Sequence, residues 1–170
     1  MRKGKDIGGL PVMTRDSGKN VGKVEDLLLD RQGSRVLGIL MDEAGWFKEA
    51  KVVAWPSFRA VGLDAVIIDE EASIKKASEV PEMTEVLDRG NVLVGARVET
   101  TDGRELGKIE DFYFDPETGM VKGFELSGGK GRSFLPTPAG FEAGEDVAFV
   151  DPSAVATVID LKEALRGALG

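Results

Sequence analysis

One sequence pattern occurs twice in this chain. Residues 12–41 and 98–126 align with a single gap at Ser17, and 11 of the 29 aligned pairs are identical. The identical pairs are Val12/Val98, Thr14/Thr100, Asp16/Asp102, Gly18/Gly103, Gly22/Gly107, Lys23/Lys108, Glu25/Glu110, Asp26/Asp111, Asp30/Asp115, Val36/Val121 and Gly38/Gly123. A weaker similarity follows in two aligned segments, Trp55-Pro56 with Leu135-Pro136 and Val66–Asp69 with Ala148–Asp151. Repetition in the same order indicates two homologous modules of about 75–80 residues each.

Short apolar segments alternate with turn residues in both copies. In the first copy the predicted strands are residues 12–14, 23–30, 36–41, 51–55 and 65–69. Hairpin turns are predicted at residues 31–34, which contain Gly and Ser, and at residues 116–119, which contain Pro and Gly. Several short strands separated by turns are typical of a small barrel or sandwich. The sequence therefore predicts a mainly β fold with two tandem small barrels.

The alternation of apolar residues changes phase at a Glu-Asp doublet in each copy. In the first copy Val24, Leu27 and Leu29 are apolar, although strict alternation after Val24 would bury Asp26 and Leu28 instead. The second copy has the same pattern, with apolar residues at Ile109, Phe112 and Phe114. Because one extra residue in a strand exchanges the buried and exposed faces, the doublets predict a β-bulge. Asp30 and Asp115 precede the hairpin turns and are predicted to cap backbone amides there.

Two short helices are predicted outside the strands. Pro81 suits the first turn of a linker helix that stops at Gly90, and Met83, Val86 and Leu87 give this helix an apolar face. Pro152-Ser153 opens a predicted C-terminal helix with apolar residues at helical spacing from Val155 to Leu165. The predicted domains are a barrel at 1–78, a helical linker at 79–90, and a barrel with its C-terminal helix at 91–170.

Composition excludes several classes of chemistry. The chain has no Cys and no His, so disulfides, thiolate metal sites, thiol catalysis and His-based acid–base catalysis are ruled out. We therefore expect a protein that is not an enzyme and needs no cofactor or metal. The net charge is −8 and most of it lies in the second half, so direct nucleic-acid binding is not expected. No apolar run approaches the length of a membrane span, so we expect no membrane insertion and a cytoplasmic location.

Two groups of residues are candidates for an interaction surface. The aromatic candidates are Trp46, Phe47 and Trp55, because aromatic residues at hairpin tips often anchor interfaces. An alternative is that they fill a barrel mouth or the interface between the modules. The charged candidates are Lys23, Glu25, Asp26, Lys108, Glu110 and Asp111. Their alternative role is structural, with Lys23 paired to Glu25 and Lys108 to Glu110 beside the bulge.

The glycine-rich segment at Gly128–Arg132 is predicted to be a hairpin tip, with binding of a small anion as the alternative.

The repeated motif resembles that of a known family. In both copies a turn is followed by Gly-Lys, Val or Ile, Glu-Asp, three apolar residues and Asp, and then by a second turn and Val-x-Gly. This pattern is similar to that of the PRC-barrel family, which includes the cytoplasmic domain of the photosynthetic reaction-centre H subunit and the C-terminal domain of the ribosome maturation factor RimM. The resemblance covers nearly the whole chain twice.

The resemblance implies a small barrel with a bent sheet that docks proteins and has no catalytic residues. We therefore expect a non-enzymatic adaptor with a protein partner. The duplication also allows two chains to exchange a terminal element, so a second copy of the chain is a further candidate partner. Two alternatives come from the relatives. The first is a ribosome-assembly or RNA-maturation accessory that acts through a ribosomal protein. The second is a peripheral scaffold of a membrane complex in photosynthesis or electron transfer.

Overall fold

The computed structural model describes residues 1–42, 49–89, 93–129 and 131–169. The strands of the first half are β1 (Arg2–Lys3), β2 (Pro11–Thr14), β3 (Asn20–Lys23), β4 (Asp26–Leu29), β5 (Val36–Asp42), β6 (Lys51–Ala54), β7 (Phe58–Val61), β8 (Val66–Ile68) and β9 (Lys75–Lys76), followed by helix α1 (Pro81–Asp88). Those of the second half are β10 (Arg97–Thr100), β11 (Glu105–Phe114), β12 (Val121–Gly128), β13 (Gly131–Pro136), β14 (Glu142–Ala143), β15 (Val147–Val150) and β16 (Ile159–Asp160), followed by helix α2 (Leu161–Leu169). The fold is mainly β, as predicted. We call β2–β9 with α1 the first module, and β10–β16 with α2 the second module.

The two modules have the same strand connections. In the first module β2 pairs with β3 and, in parallel, with β8, whereas β4, β5, β6 and β9 form a separate sheet. In the second module β10 pairs with β11 and, in parallel, with β15, and β11 continues into the β12–β13–β16 ladder. The difference is that β11 is one strand of ten residues, whereas its counterpart is interrupted between β3 and β4. The second module therefore has one continuous sheet where the first has two.

The phase change at the acidic doublet has a different form in each module. In β11 the register against β12 shifts between Ile109 and Asp111, so the predicted bulge is confirmed there. In the first module the strand ends at Lys23 and a new strand begins at Asp26. The consequence for burial is the same in both. The six apolar residues that follow the predicted pattern are all buried in one core, and they are Val24, Leu27, Leu29, Ile109, Phe112 and Phe114.

The strand registers correct one part of the sequence alignment. Gly38 pairs with Ala54 in the first module, and its equivalent Gly123 pairs with Pro136 in the second. Ala54 is therefore the counterpart of Pro136, and Trp55 corresponds to Thr137 rather than to Leu135. The alignment of Trp55-Pro56 with Leu135-Pro136 was wrong by two residues, because a dipeptide match carries no information about register. The alignment of the β8 and β15 segments is confirmed by their equal pairing with β2 and β10.

Helix α1 packs on the outer face of the first module's second sheet. It begins at Pro81, as predicted, and ends at Asp88, whereas its predicted stop, Gly90, lies outside the described residues. Its buried residues Met83, Val86 and Leu87 form a second hydrophobic core with residues of β4, β5 and β6. This face is apolar in the first module because Leu28, Leu37, Leu40 and Val52 all point towards the helix side.

The predicted C-terminal helix does not run from Pro152. Residues Pro152–Thr157 form a 3-10 turn, in which Ser153 N–H donates to the Asp151 carboxylate at 2.8 Å. Ile159 and Asp160 then pair with β13, and α2 begins only at Leu161. The helical spacing of apolar residues was misleading, because part of that segment adds a strand to the sheet. Within the described part of the chain, neither α-helix is long and apolar enough to cross a membrane.

The two modules share one hydrophobic core and meet about a local two-fold axis. Arg35 and Met120, which are equivalent in the repeat, pair with each other. On either side Val36 N–H donates to Gly119 O at 2.8 Å, and Val121 N–H donates to Ser34 O at 2.9 Å. Contacts between equivalent positions are the property of an isologous interface, here made within one chain. The N-terminal strand β1 also joins the modules, because it pairs with β11 of the second module.

Candidate interaction surface

Of the predicted aromatic residues, the structure places Trp55. Trp46 and Phe47 lie outside the described residues. Trp55 begins a 3-10 turn directly after β6, and its half-buried ring lies 4.9 Å from the Phe58 ring and 6.5 Å from the Phe114 ring. A Cβ atom on Gly119 would lie 2.8 Å from the indole, so the turn of the second module rests directly on this ring. Trp55 therefore lies at the interface between the modules, with part of its ring exposed.

A groove opens beside Trp55. Its volume is about 450 Å³. The residues that line it are Trp55, Phe58, Arg59, Ala60, Val61, Pro116 and Glu117. Five of the seven come from the first module and two from the hairpin turn of the second module. Three other described grooves of similar volume are lined by the first module alone. The groove at Trp55 therefore exists only because the two modules are joined as they are.

The two walls of this groove carry different charges. Arg59 forms a salt bridge with Asp69, so its charge is neutralised within the first module. On the opposite wall Glu117 is exposed and makes no salt bridge within the described residues. Its backbone N–H donates to Asp115 at 2.8 Å, and this hydrogen bond is the main reason why the pKa of Asp115 is lowered. The predicted capping role of Asp115 is thus confirmed, and it holds the turn that carries Glu117.

The first Glu-Asp doublet lies on the surface of the first module. Lys23 Nζ lies 3.8 Å from Glu25 Oε1, which confirms the predicted ion pair, and both side chains are exposed. An exposed pair of this kind contributes at most about 1 kcal/mol to stability. Asp26 accepts a hydrogen bond from Leu27 N–H at 2.8 Å. This local contact turns the chain at the phase change.

The second doublet has the same local contact but different surroundings. Asp111 is 1% exposed and accepts Phe112 N–H at 2.8 Å and the backbone N–H of Lys5 at 3.2 Å. Burial raises the pKa of Asp111 despite these hydrogen bonds. Asp111 thus fixes the N-terminal segment to the second module. This role was invisible in the sequence because Lys5 is far from Asp111 along the chain.

Glu110 does not form the salt bridge predicted with Lys108. It accepts a hydrogen bond from the Ser127 hydroxyl and lies 3.5 Å from Arg132 Nη1. The Ser127 hydrogen bond, followed by the charge of Arg132, lowers the pKa of Glu110. Arg132 reaches Glu110 because β13 pairs with β12 through Ser127 and Arg132. The two doublets also belong to different sheets, because Asp26 begins β4 whereas Glu110 and Asp111 lie in β11.

The tip of the β12–β13 hairpin agrees with the sequence interpretation. Gly128 pairs with Gly131 at the end of the β12–β13 ladder, within the glycine-rich segment. Lys130 lies outside the described residues. Among the residues that the structure describes, no three acidic side chains are arranged to hold a metal ion.

A buried charge network on the second module was missed by the sequence analysis. Glu125 occupies the position of Leu40 in the first module and is 6% exposed. Its carboxylate lies 3.3 Å from Lys3 Nζ and 3.6 Å from Arg132 Nη1, and Tyr113 Oη donates to it at 3.4 Å. Because one wall of the network comes from β1, no local sequence pattern could indicate it. The substitution of Leu40 by a charge also explains why this face lacks the apolar core found under α1.

Stability is expected to fall in alkali through this network. Desolvation lowers the pKa of Lys3, but the Glu125 hydrogen bond and nearby negative charges outweigh it, so the pKa lies above the ordinary 10.5. Desolvation raises the pKa of Tyr113 above its ordinary 10.0. In both cases the folded state holds the proton more tightly than the unfolded chain, so stability declines as the pH rises above about 10. Tyr113→Phe removes one of these groups and one cause of the raised pKa of Lys3, so its urea unfolding between pH 8 and 11 should give a shallower decline than wild type. Lys76→Met, at an exposed site on β9, should follow wild type, and equal slopes for all three proteins would contradict this assignment.

Comparison with known families agrees with this architecture. The model of the PRC-barrel domain matches residues 1–75 and again residues 85–156. The chain belongs to the PRC-barrel family. PRC-barrel domains are generally protein-interaction modules. No curated protein matches the chain.

Proposed function

We propose that this protein is a non-enzymatic adaptor that binds a partner protein in the groove at Trp55. The observation that carries the proposal is the partly exposed Trp55 ring that lines a groove with walls from both modules. Large aromatic side chains in preformed pockets contribute most of the binding energy at many protein interfaces. The absence of His and Cys removes the most common catalytic groups and favours binding over catalysis.

The family assignment supports the same function, since PRC-barrel domains generally bind proteins. The groove also has the size of a binding site, because pockets that bind ligands commonly have volumes of about 300–1,000 Å³. Because its walls belong to different modules, a bound partner would contact both copies at once. This gives a reason for joining two barrels in one chain that neither barrel would provide alone.

Substitution of Trp55 is expected to abolish capture of the partner. Tagged wild type and Trp55→Ala would be used as baits in lysate of the source cell, with quantitative mass spectrometry of the proteins retained. We expect at least one protein to be retained by wild type and reduced about tenfold or more by Trp55→Ala, as for an aromatic anchor. Glu117→Lys, an exposed change on the opposite wall, should also reduce capture.

The matched control is Leu63→Ala, since Leu63 is 81% exposed and does not line the groove. Thermal unfolding of each bait checks that it is folded, and Glu117→Lys keeps the test valid if Trp55→Ala is unstable. Equal capture by folded Trp55→Ala, Glu117→Lys and wild type would show that this groove is not the docking site.

A further inference from the structure

The edge strands β7 and β14 are equivalent positions in the two modules. Each lies at the end of its ladder and pairs with one strand, β7 with β8 and β14 with β15. Val61 in β7 and Ala143 in β14 precede glycines that close matching turns, in which Gly62 N–H donates to Ala65 O at 2.9 Å and Gly144 N–H donates to Val147 O at 3.0 Å. In an antiparallel ladder, residues next to such a bonded pair direct N–H and C=O away from the neighbouring strand. Val61 and Ala143 therefore present their backbone groups to the outside.

In the second module this outward edge is occupied by another part of the chain. Ala143 N–H donates to Arg31 O at 3.3 Å, and Arg31 lies in the hairpin turn of the first module. The structure thus contains one example of a group that binds this edge. It is the backbone carbonyl of a separate segment, which accepts the edge N–H.

In the first module the equivalent edge faces the groove. The equivalent of Arg31 is Pro116, which lies on the opposite wall from Val61. Within residues 1–42, 49–89, 93–129 and 131–169, Val61 N–H has no backbone acceptor outside its own sheet. The two modules differ here because Trp55 replaces Thr137, and the indole lies between β7 and the turn at Gly119. The large ring holds the turn away from the strand, so the Val61 N–H lacks the partner that Arg31 provides for Ala143.

We infer that an extended segment of the partner protein enters this groove as an added strand on β7. One of its carbonyls would accept Val61 N–H, an apolar side chain would contact Trp55 and Phe58, and a basic side chain would face Glu117. Addition of a strand to an exposed edge is a recurrent mode of peptide recognition. The Arg2 guanidinium donates to the Val61 carbonyl at 3.3 Å and to the Gly62 carbonyl at 2.9 Å, so it lies on the carbonyl side of this edge. The Val61 N–H is therefore the backbone group through which the incoming strand would pair.

The basic side chain follows from the charges of the groove. Arg59 is neutralised by Asp69, whereas Glu117 makes no salt bridge within the described residues. A cation on the incoming segment would therefore meet an uncompensated carboxylate. This inference rests on the proposed function and adds the form and chemistry of the segment that is bound.

The test uses the full chain and a phage-displayed library of random eight-residue peptides. We expect the selected peptides to share an apolar residue and a Lys or Arg. With a selected peptide bound, amide hydrogen exchange measured by NMR should slow about tenfold or more at Val61, the effect of a new hydrogen bond. Val61→Pro removes the outward N–H and is tolerated at strand edges, so it should weaken binding about tenfold, whereas Val61→Ala keeps the N–H and should bind nearly as wild type.

The outcomes separate this inference from the proposed function. Peptides that shift the Trp55 indole signal but leave Val61 exchange unchanged would overturn strand addition and leave the groove as a docking site. If no peptide is selected, or if the selected peptides leave Trp55 unperturbed, both proposals fail. Should Val61→Pro not fold, the exchange measurement on wild type decides the question alone.

Discussion

Expressed separately, residues 1–89 and 93–170 are each expected to be unfolded, and mixing them is expected to restore the native fold. The main hydrophobic core contains residues of both modules, so each half alone would expose side chains such as Phe114, Phe124 and Leu29 that are buried in the whole chain. Each such side chain contributes about 1.5–3 kcal/mol by burial. Loss of several of them exceeds the total stability of most domains, which is about 5–15 kcal/mol.

The backbone connections between the modules add to this effect. Separation would remove the pairing of β1 with β11 and leave the buried Asp111 carboxylate without the Lys5 N–H. Near-UV circular dichroism and the dispersion of amide signals in NMR would report folding of each half, of their mixture, and of the intact chain as control. Cooperative thermal unfolding of either half alone would show that the modules are independent, contrary to this prediction.

Replacement of Gly38 by Val is expected to destabilise the protein by about 3 kcal/mol, since overpacking in a fixed core has costs of this order. A Cβ atom at this position would collide with the carbonyl oxygen of Val53 and lie 3.0 Å from Ala54 Cα, both backbone atoms of the paired strand. It would also lie 2.8 Å from Met83 Cε, so the clash reaches the α1 interface. Backbone atoms in a ladder cannot move aside as a flexible side chain can.

Thermal or urea unfolding measures this effect. For a chain of this length, 3 kcal/mol corresponds to a decrease of about 6–12 °C in Tm. Gly123→Val should lower Tm by a similar amount, because a Cβ atom there would lie 2.5 Å from Leu135 O. Gly8→Ala is the matched control, since its nearest contact would be Lys5 O at 3.7 Å. A Tm for Gly38→Val close to that of the control would contradict the steric explanation for the repeated glycine.

Much of the fold could be predicted because its signals are local. The strand positions, the turns and the phase change at Glu110-Asp111 all depend on residues within a few positions of each other, and side-chain alternation in a strand has a period of two. Errors arose where a local pattern was compatible with two structures. The segment after Pro152 has helical spacing, yet Ile159 and Asp160 form a strand, because β13 offers an edge that no local pattern records.

The candidate site could be predicted only in part. Trp55 was identified from its residue type, but the groove beside it depends on Gly119 and Pro116, which the second module brings against the first. Likewise the buried Glu125 carboxylate is paired with Lys3, and Lys3 lies beside it only because β1 pairs with β11.

The amino-acid sequence alone determined the duplicated β architecture, since hydrophobic periodicity and turn residues act over short distances along the chain. Tertiary structure decided which of the two equivalent edge N–H groups, that of Ala143, pairs with the other module and which, that of Val61, faces the groove. That difference arises from one bulky ring, Trp55, in the place of Thr137, and its effect appears only when the two modules pack together. A side chain can separate a strand from a turn only after folding has brought both to it.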